Sequence, residues 1–450
     1  MNPFSSTTSH APHQHVHTLI IGGGQAGLSM SYVLKQQGVD HLILERHRLG
    51  WAWREQRWDN FCLVTPNWQC RLPGFSYCDN QGPDPDGFMV KDQIINYLES
   101  YAAHFSPPIR EGINVTGVKR SADNQPGRFC VTTSEGEFTA EQVVIAVGNY
   151  HRERFPALSE QLPSRIHQLH SAQYRNAQSL PEGEVLVVGS AQSGAQIAED
   201  LHLSGRKVHL CVGNAPRVAR FYRGRDVVAW LDDMGHYQLN VDNHPLGEEA
   251  RQKTNHYVTG RDGGRDIDLR AFARDGMKLH GRLHSYHPQN PQEANHLSNH
   301  GDGYLQMDDR LAQYLNAADA TSEKIKDSID GWIADQGIEA PTEARYVPVW
   351  QPEESDNRLD LSSIAVIIWA VGFHTDFSWI DLPAFNARGY PIHRRGVSEI
   401  DGLYFLGLPW LWTWGSGRFE GVGQDAQYVG ENMRVREYGQ KPQREGVRVS

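Results

Sequence analysis

Glycines follow a short apolar run near the start of this 450-residue chain, at a spacing that suits phosphate binding. The run is Thr18-Leu19-Ile20-Ile21, and the turn after it consists of Gly22, Gly23, Gly24, Gln25, Ala26 and Gly27. Gly22 permits a tight turn, Gly24 lets a phosphate approach the backbone, and Gly27 allows a helix to pack closely on a strand. A helix that begins here directs its unpaired N–H groups toward the phosphates. The pattern is typical of dinucleotide binding.

An acidic residue follows at the distance that the ribose of a dinucleotide requires. A helical pattern runs as far as Gly38, and a second apolar run, His41-Leu42-Ile43-Leu44, ends at Glu45. The Glu45 carboxylate is in position to accept hydrogen bonds from ribose hydroxyls. This order of a strand, glycines, a helix, a second strand and an acid predicts a complete βαβ unit that binds a dinucleotide. The alternative interpretation is a glycine-rich turn that binds no ligand.

The same pattern returns at residue 185 as an internal repeat. A strand is predicted at Val185–Val188 and a helix at Ala195–Leu203, and the turn between them contains Gly189, Ala191, Gln192, Ser193 and Gly194. Ala191 replaces the middle glycine and adds one methyl group beside the pyrophosphate. The repeat predicts a second dinucleotide site.

The end of the second unit bears on which nicotinamide cofactor binds. Its second strand, Lys207–Val212, ends without an acid, and Asn214, Arg217 and Arg220 follow. An acid there would favour NAD, so we expect these three residues to bind the 2′-phosphate of NADP. The alternative is that the arginines are solvated or pair with acids elsewhere.

Two further apolar runs, Val143–Gly148 and Ile367–Gly372, each end in a glycine and predict buried parallel strands that bracket the second unit. We therefore expect an α/β fold with two Rossmann-like dinucleotide-binding domains, the second inserted into a discontinuous first. The expected boundaries are a disordered tail at 1–16, the first domain at 17–178 and 373–450, and the second at 179–372. Its segment at about 232–303 is an insertion over the nicotinamide or a surface lobe.

The C-terminal part holds a candidate charge-stabilising helix. Leu403–Gly407 predicts a strand, and Gly421 opens a helix that contains Asp425. The N-terminus of such a helix can stabilise negative charge on a bound ring, although an ordinary turn is the alternative. Seven of the twelve tryptophans fall in two windows, which are Trp51, Trp53, Trp58 and Trp68, then Trp410, Trp412 and Trp414. They predict an aromatic-walled pocket, or else simple packing.

Composition argues against several classes of partner. The chain has 43 arginine and lysine residues and 54 aspartate and glutamate residues, so its net charge is −11. This charge argues against nucleic acid as a partner, because phosphate binding needs a basic face. The longest apolar run, Ile364–Val371, is too short to cross a bilayer. The five cysteines form no CxxC pair, and no zinc-ligand spacing is present. We expect free thiols, no metal, no membrane contact and a cytoplasmic location.

The motifs together resemble a known family, the class B flavin-dependent monooxygenases, from about residue 17 to residue 435. The likeness is carried by the paired glycine motifs, by Gly50-Trp51-Ala52-Trp53-Arg54 after Glu45, and by His170-Ser171-Ala172-Gln173-Tyr174-Arg175. His170 and Tyr174 fit the family's interdomain fingerprint, FxGxxxHxxxY, whereas Phe155 does not fit its start. The stretches 214–217, 221–226 and 407–410 are similar to a bacterial subfamily of flavin-dependent oxidoreductases.

The resemblance implies FAD at the first unit and NADP(H) at the second. NADPH would reduce FAD, and a C4a-(hydro)peroxyflavin formed with O2 would oxygenate a small substrate that contains nitrogen or sulfur. Asn67 is the candidate active-site asparagine, with a turn residue after Pro66 as the alternative. Further cofactor contacts are expected from Trp53, Arg54, Gly148, Gly372, Gly421 and Asp425.

The resemblance leaves other functions open. A homodimer is compatible with it. One alternative is a flavin-dependent reductase or dehydrogenase that passes electrons to another acceptor. The other is a non-catalytic sensor that holds both cofactors.

Overall fold

The computed structural model of the chain describes residues 14–288, 302–353 and 357–438. Within these residues there are nine α-helices, which are α1 (Gln25–Gln36), α2 (Trp51–Glu55), α3 (Tyr77–Asn80), α4 (Lys91–Phe105), α5 (Gln192–Leu203), α6 (Val227–Asp233), α7 (Leu269–Arg274), α8 (Leu311–Gln336) and α9 (Val422–Tyr438). The strands of the first half are β1 (Gln14–Ile21), β2 (His41–Leu44), β3 (Arg71–Leu72), β4 (Phe75–Ser76), β5 (Ile109–Arg110), β6 (Val115–Arg120), β7 (Phe129–Thr133), β8 (Gly136–Ile145), β9 (Arg152–Glu153), β10 (His167–His170), β11 (Glu184–Val188) and β12 (Val208–Cys211). Those of the second half are β13 (Phe221–Tyr222), β14 (Arg225–Asp226), β15 (Lys278–His280), β16 (Leu283–His287), β17 (Tyr304–Met307), β18 (Arg358–Asp360), β19 (Ile364–Trp369), β20 (Phe373–His374), β21 (His393–Arg394), β22 (Val397–Ser398) and β23 (Leu403–Phe405).

The larger sheet combines strands from both ends of the chain. Its main path is β21-β22-β23-β8-β1-β2-β5, and β6 and β7 continue from β8. The strands β23, β8, β1, β2 and β5 run parallel, with Leu19 opposite both Leu42 and Val143. Leu19 and Val143 are fully buried, as expected for a parallel sheet covered on both faces. Pairing of β23 with β8 joins the C-terminal segment to the N-terminal βαβ unit.

The second sheet is parallel throughout and has the order β10-β19-β11-β12-β15. Its central strand pair matches Val187 with Ile368, and both side chains are fully buried. A three-stranded antiparallel sheet, β16-β17-β18, contributes to the apolar cluster on one face. The sequence prediction of a mixed α/β fold with parallel sheets is therefore confirmed.

The helices α1 and α9 pack against each other beside the larger sheet. A small residue makes this contact close, because a β-carbon on Gly430 would lie 2.7 Å from Cγ1 of Val33. Among the described residues, no helix combines the length and apolar character needed to span a membrane.

Three boundaries differ from those expected. The strand β1 already begins at Gln14, where it pairs with Phe138, so residues 14–16 do not belong to a disordered tail. Residues 1–13 lie outside the described part of the chain. The strand β15 lies within 232–303 but forms the edge of the second sheet, so this stretch is not wholly an insertion. The strand β10, before the expected boundary at 178, also joins the second sheet.

Candidate active site

The first glycine turn forms an open cradle at the N-terminus of α1. Gly22 has a φ of 107°, and a β-carbon on it would lie 2.6 Å from the carbonyl oxygen of Ala146. A β-carbon on Gly27 would lie 1.9 Å from the oxygen of Gly22, so only glycine lets the helix pack here. At Gly24 nothing lies within 4 Å of such an atom. The cradle thus has the open space that a pyrophosphate needs.

The carboxylate of Glu45 is fixed at the end of β2. One oxygen accepts a hydrogen bond of 2.6 Å from the backbone N–H of Gly23, and the other accepts one of 2.9 Å from His47. A carboxylate oxygen has lone pairs for further donors. Glu45 can therefore accept hydrogen bonds from a ribose beside the cradle.

The second glycine turn repeats this geometry at the N-terminus of α5. Gly189 has a φ of 106°, and a β-carbon on it would lie 2.6 Å from the oxygen of Ala370. A β-carbon on Gly194 would lie 1.8 Å from the carbonyl oxygen of Gly189. Ala191 takes the place of Gly24 and precedes the helix in an extended conformation. The two cradles have matching close approaches, so the repeat seen in the sequence is also a repeat in structure.

The two polar residues of the second turn differ in their contacts. The side chain of Gln192 forms two hydrogen bonds with the backbone of Val258, to its oxygen at 2.7 Å and from its N–H at 3.3 Å. Ser193 is exposed at the first turn of α5. Gln192 therefore anchors a loop, and Ser193 is free to face a phosphate.

The arginines predicted to bind a 2′-phosphate are buried beside acids. Arg217 is 4% exposed and lies 3.2 Å from Asp319 and 3.6 Å from Asp268. Arg220 is 1% exposed and pairs with Asp226. Both guanidinium groups are committed to protein carboxylates, as the alternative interpretation expects. Asn214 is exposed in the loop after β12.

A different arginine lies beside the end of β12. A β-carbon on Gly213 would lie 3.3 Å from Nε of Arg282, which follows β15. The exposed guanidinium of Arg282 lies 5.1 Å from the ring of Tyr314. The N–H of Gly213 donates to Oγ of Ser190 at 3.0 Å. Sequence reasoning missed Arg282 because it is remote in the chain and no motif marks it.

The linkers between the two sheets meet at His170. The N–H of Ala172 donates to Nδ1 of His170 at 3.2 Å, so Nε2 carries the proton and donates to the oxygen of Gly372 at 2.9 Å. Burial lowers the pKa of His170 despite that bond. The backbone N–H of Ser171 donates a hydrogen bond of 3.0 Å to the carbonyl oxygen of Trp369. Gly372 and Gly148 both have positive φ, 84° and 73°, with open space beside them.

Tyr174, the other fingerprint residue, connects its linker to α5. Its hydroxyl donates a hydrogen bond of 2.7 Å to Asp200, which is 3% exposed. Asn60 donates to the same carboxylate at 2.9 Å, and Arg261 pairs with it at 2.8 Å. Three distant segments of the chain therefore converge on Asp200.

Each of the two tryptophan windows makes ring contacts with other aromatic side chains. Trp53 stacks on Phe419 with centroids 5.8 Å apart, and Phe61 lies 6.0 Å from Trp53. Trp414 packs against Tyr237 at 4.8 Å. Arg54, which was expected to contact the cofactor, forms an ion pair with Glu99 of α4. Arg418, which lies 3.7 Å from the Trp414 ring, directly precedes Phe419 and so connects the two groups of rings. We call both groups together the aromatic cleft, defined by Trp53, Phe61, Tyr237, Trp414 and Phe419.

Asn67 and a neighbour carry buried polar atoms without partners among the described residues. The Asn67 amide nitrogen donates to the oxygen of Asp84 at 2.9 Å, whereas its Oδ1 has no partner. Gln69 is fully buried, and neither of its amide atoms is hydrogen-bonded. Since buried polar groups are nearly always satisfied, these atoms fit a polar ligand. Gln69 was not predicted, because nothing in the sequence separates it from other glutamines.

The loop before α9 lies against the first cradle. Nε2 of Gln25 donates to the oxygen of Gly417 at 3.2 Å. A β-carbon on Gly421 would lie 2.5 Å from the carbonyl carbon of Gly415, so the turn into α9 requires glycine. Asp425 is 2% exposed and pairs with Arg395 at 2.9 Å. The loop that leads into α9 thus contacts the start of α1.

Among the described residues, no set of three or more histidine, cysteine, aspartate or glutamate side chains is placed to hold a metal ion.

Comparisons with known proteins agree with this geometry. The sequence model of the pyridine nucleotide-disulphide oxidoreductase family matches residues 19–240. An uncharacterized oxidoreductase CzcO-like from Geobacillus kaustophilus is 33% identical over 92% of this chain and 98% of its own length. The chain belongs to the CzcO-like oxidoreductases, a class B flavin monooxygenase-like family.

More distant relatives of this family share parts of the chain or its fold. The probable indole-3-pyruvate monooxygenase YUCCA4 from Arabidopsis thaliana is 30% identical over 44% of this chain and 47% of its own length. A flavin-containing monooxygenase from Stenotrophomonas maltophilia, 19% identical, has a similar fold, with a TM-score of 0.60 over 94% of this chain and 99% of its own.

Membership of the CzcO-like oxidoreductases confirms the resemblance found in the sequence. The chain is a flavin-dependent oxidoreductase, and FAD and NADP(H) are the cofactors of its family. The two glycine cradles fit these dinucleotides.

Proposed function

We propose that this CzcO-like oxidoreductase is an NADPH- and FAD-dependent monooxygenase that oxygenates a small molecule containing nitrogen or sulfur. The observation that carries the proposal is the pair of matching cradles. Gly27 and Gly194 each approach the first glycine of their own turn too closely for any side chain. Two such cradles in one chain suit a flavin and the nicotinamide that reduces it.

The first cradle is proposed to hold FAD. Gly22, Gly24 and Gly27 would surround its pyrophosphate, and Glu45 would accept from its ribose. The aromatic cleft suits the flat flavin ring of FAD, and the unpartnered side-chain amide of Gln69 suits the polar edge of that ring. When bound, FAD supplies the hydride-accepting and oxygen-activating chemistry, which the protein lacks by itself.

The second cradle is proposed to hold NADP(H) in preference to NAD(H). No acid follows β12, and Arg282 lies beside Gly213 where the adenosine ribose of a dinucleotide would end. Arg282 is exposed, unlike Arg217 and Arg220, so its charge is available to a phosphate. A guanidinium is well suited to a phosphate because it donates in a fixed fork.

The division into domains also remains a proposal. We assign FAD to a domain built from about 14–178 and 373–450, and NADP(H) to 179–372, except that β10 belongs with the second sheet. Pairing of β23 with β8 and of β19 with β11 supports this division. Asn67, Trp53 and Asp425 stay predicted site residues on the FAD side.

Oxygen transfer is favoured over disulfide reduction by the state of the cysteines. All five, Cys62, Cys70, Cys78, Cys130 and Cys211, are free thiols. Burial raises the pKa of Cys62 and of Cys211 to about 12, so neither is a ready thiolate. No disulfide joins any two of the five cysteines.

Isotopically labelled O2 tests the proposal. FAD-loaded protein is supplied with NADPH, labelled O2 and a panel of amines and sulfides, and the products are analysed by mass spectrometry. Incorporation of one labelled oxygen atom per NADPH consumed is expected. Oxidation without label, sustained under nitrogen by an added quinone, would instead identify a reductase.

A further inference from the structure

Two arginines beside the aromatic cleft lack an acidic partner. The guanidinium of Arg57 lies 5.1 Å from the ring of Trp53 and 5.5 Å from that of Phe61. Its Nη1 donates to the oxygen of Gln56 at 2.8 Å. Arg418 lies 3.7 Å from the ring of Trp414 and donates to the oxygen of the same residue. Within 14–288, 302–353 and 357–438, no carboxylate forms an ion pair with either side chain.

This arrangement contrasts with the most buried arginines among the described residues. Arg217, Arg220 and Arg270 each pair with at least one aspartate. Buried charges are normally paired, because removing an ion from water is costly. Arg57 and Arg418 are partly exposed, yet burial lowers the pKa of both, so each is enclosed by protein and still open to a ligand.

The two guanidinium groups lie on neighbouring rings of the aromatic cleft. Trp53, which Arg57 covers, stacks on Phe419, which follows Arg418 directly. Burial lowers the pKa of both arginines, and the phenol of Tyr150 opposes that effect in each case. Tyr150 is 57% exposed and follows the linker glycine Gly148. Arg57 and Arg418 are themselves partly exposed, so both can be reached from solvent.

One acidic residue, Glu420, acts on Arg418. The carboxyl group of Glu420 acts on Arg418 through its charge but does not approach within ion-pair distance. Burial raises its pKa, and its Oε2 has no partner among the described residues. Glu420 therefore leaves the charge of Arg418 uncompensated by a direct contact.

We infer that Arg57 and Arg418 bind an oxyanion, and that this oxyanion is the carboxylate of the substrate. The inference rests on the proposed function, because the site adjoins the ring-binding wall. Arginine is suited to carboxylates through paired N–H donors, and the surrounding rings suit a flat apolar body. The substrate class is accordingly a small aromatic acid that also carries the nitrogen or sulfur atom to be oxygenated. Phosphates of FAD or NADP(H) are the other source of an oxyanion.

Equilibrium binding, which needs no turnover, separates these sources. FAD-loaded protein is titrated with benzoate, phenylacetate and 3-phenylpropionate, and with the amide of each, while the flavin absorbance is followed. The variants are Arg57→Gln and Arg418→Gln. Arg120→Gln is the matched control, since Arg120 also covers a ring, that of Phe129, but lies on β6. FAD content and the Kd for NADPH are measured for every protein.

At least one acid is expected to bind more tightly than its amide, and each cleft variant should lose about tenfold or more of that preference. FAD content and NADPH affinity should stay unchanged in both. Absence of any acid preference in the unaltered protein would overturn the inference. So would loss of FAD or NADPH binding with the acid preference intact, since the phosphates would then be the ligand. Failure of oxygen transfer alone would leave this binding result standing.

Discussion

The hydroxyl of Tyr174 donates a 2.7 Å hydrogen bond to the carboxylate of Asp200, and both residues are buried. Tyr174 lies in the linker that enters the second βαβ unit, and Asp200 lies on the helix that begins at its glycine cradle. Removal of the hydroxyl by Tyr174→Phe leaves a buried carboxylate with one donor fewer. We expect the free energy of unfolding to fall by about 1–3 kcal/mol.

Urea unfolding of the FAD-loaded protein measures this change. Tyr32→Phe is the control, since the Tyr32 hydroxyl forms no hydrogen bond to a described residue. Equal effects of the two substitutions would show that the contact with Asp200 contributes nothing.

Two glycines of the first cradle should respond differently to alanine. Gly27→Ala places a methyl group 1.9 Å from a backbone oxygen, so we expect the apoprotein to be destabilised by about 1–3 kcal/mol or more. Gly24→Ala meets no atom within 4 Å, and the apoprotein should change by less than about 0.5 kcal/mol. The added methyl group should nevertheless reduce FAD affinity. Thermal unfolding of apoprotein and FAD titration check both; an undiminished FAD affinity in Gly24→Ala would contradict the placement of the pyrophosphate.

Arg282 should determine the choice between the two nicotinamide cofactors. We expect Arg282→Gln to raise the KM for NADPH about tenfold and to leave the KM for NADH unchanged. Arg310→Gln is a matched control, because Arg310 lies over the same ring of Tyr314, at 5.3 Å, but pairs with Asp308. Steady-state oxidation of the two cofactors is the measurement. A parallel rise in both KM values would place the 2′-phosphate elsewhere.

Acid should weaken the second sheet through His280. Burial, His209 and Lys278 lower the pKa of His280 to about 3, and its Nε2 lies 2.9 Å from Nδ1 of His209. In the unfolded chain His280 takes up a proton as the pH falls below 6.5, whereas in the folded chain it does so only near pH 3. The contribution of His280 to the free energy of unfolding is therefore fully present above pH 6.5 and decreases as the pH falls toward 3. Between pH 7 and pH 5 the loss from this group is about 2 kcal/mol.

The variant His280→Gln should remove that part of the pH dependence. Free energies of unfolding at the two pH values are compared with those of His284→Gln, which alters an exposed histidine on β16. The same slope in His280→Gln and in the unaltered protein would refute the assignment to His280.

Local patterns explain which features were predictable from the sequence. Gly22, Gly27 and Glu45 lie within one continuous βαβ unit, so their spacing alone indicated their place. Arg217 could not be judged in this way, because its partners Asp268 and Asp319 come from distant parts of the chain. Arg57, Arg282 and Gln69 likewise gain their meaning from residues brought near by folding. The edge strand β15 was missed because it is three residues long and polar at both ends.

The central claim is that nicotinamide bound at the second cradle reduces flavin bound at the first. Anaerobic mixing of FAD-loaded protein with NADPH, and separately with NADH, tests it through the absorbance of oxidised flavin. We predict that NADPH bleaches the flavin fully and faster than NADH does, and that colour returns when oxygen is admitted. A flavin that stays oxidised with both cofactors would contradict the account.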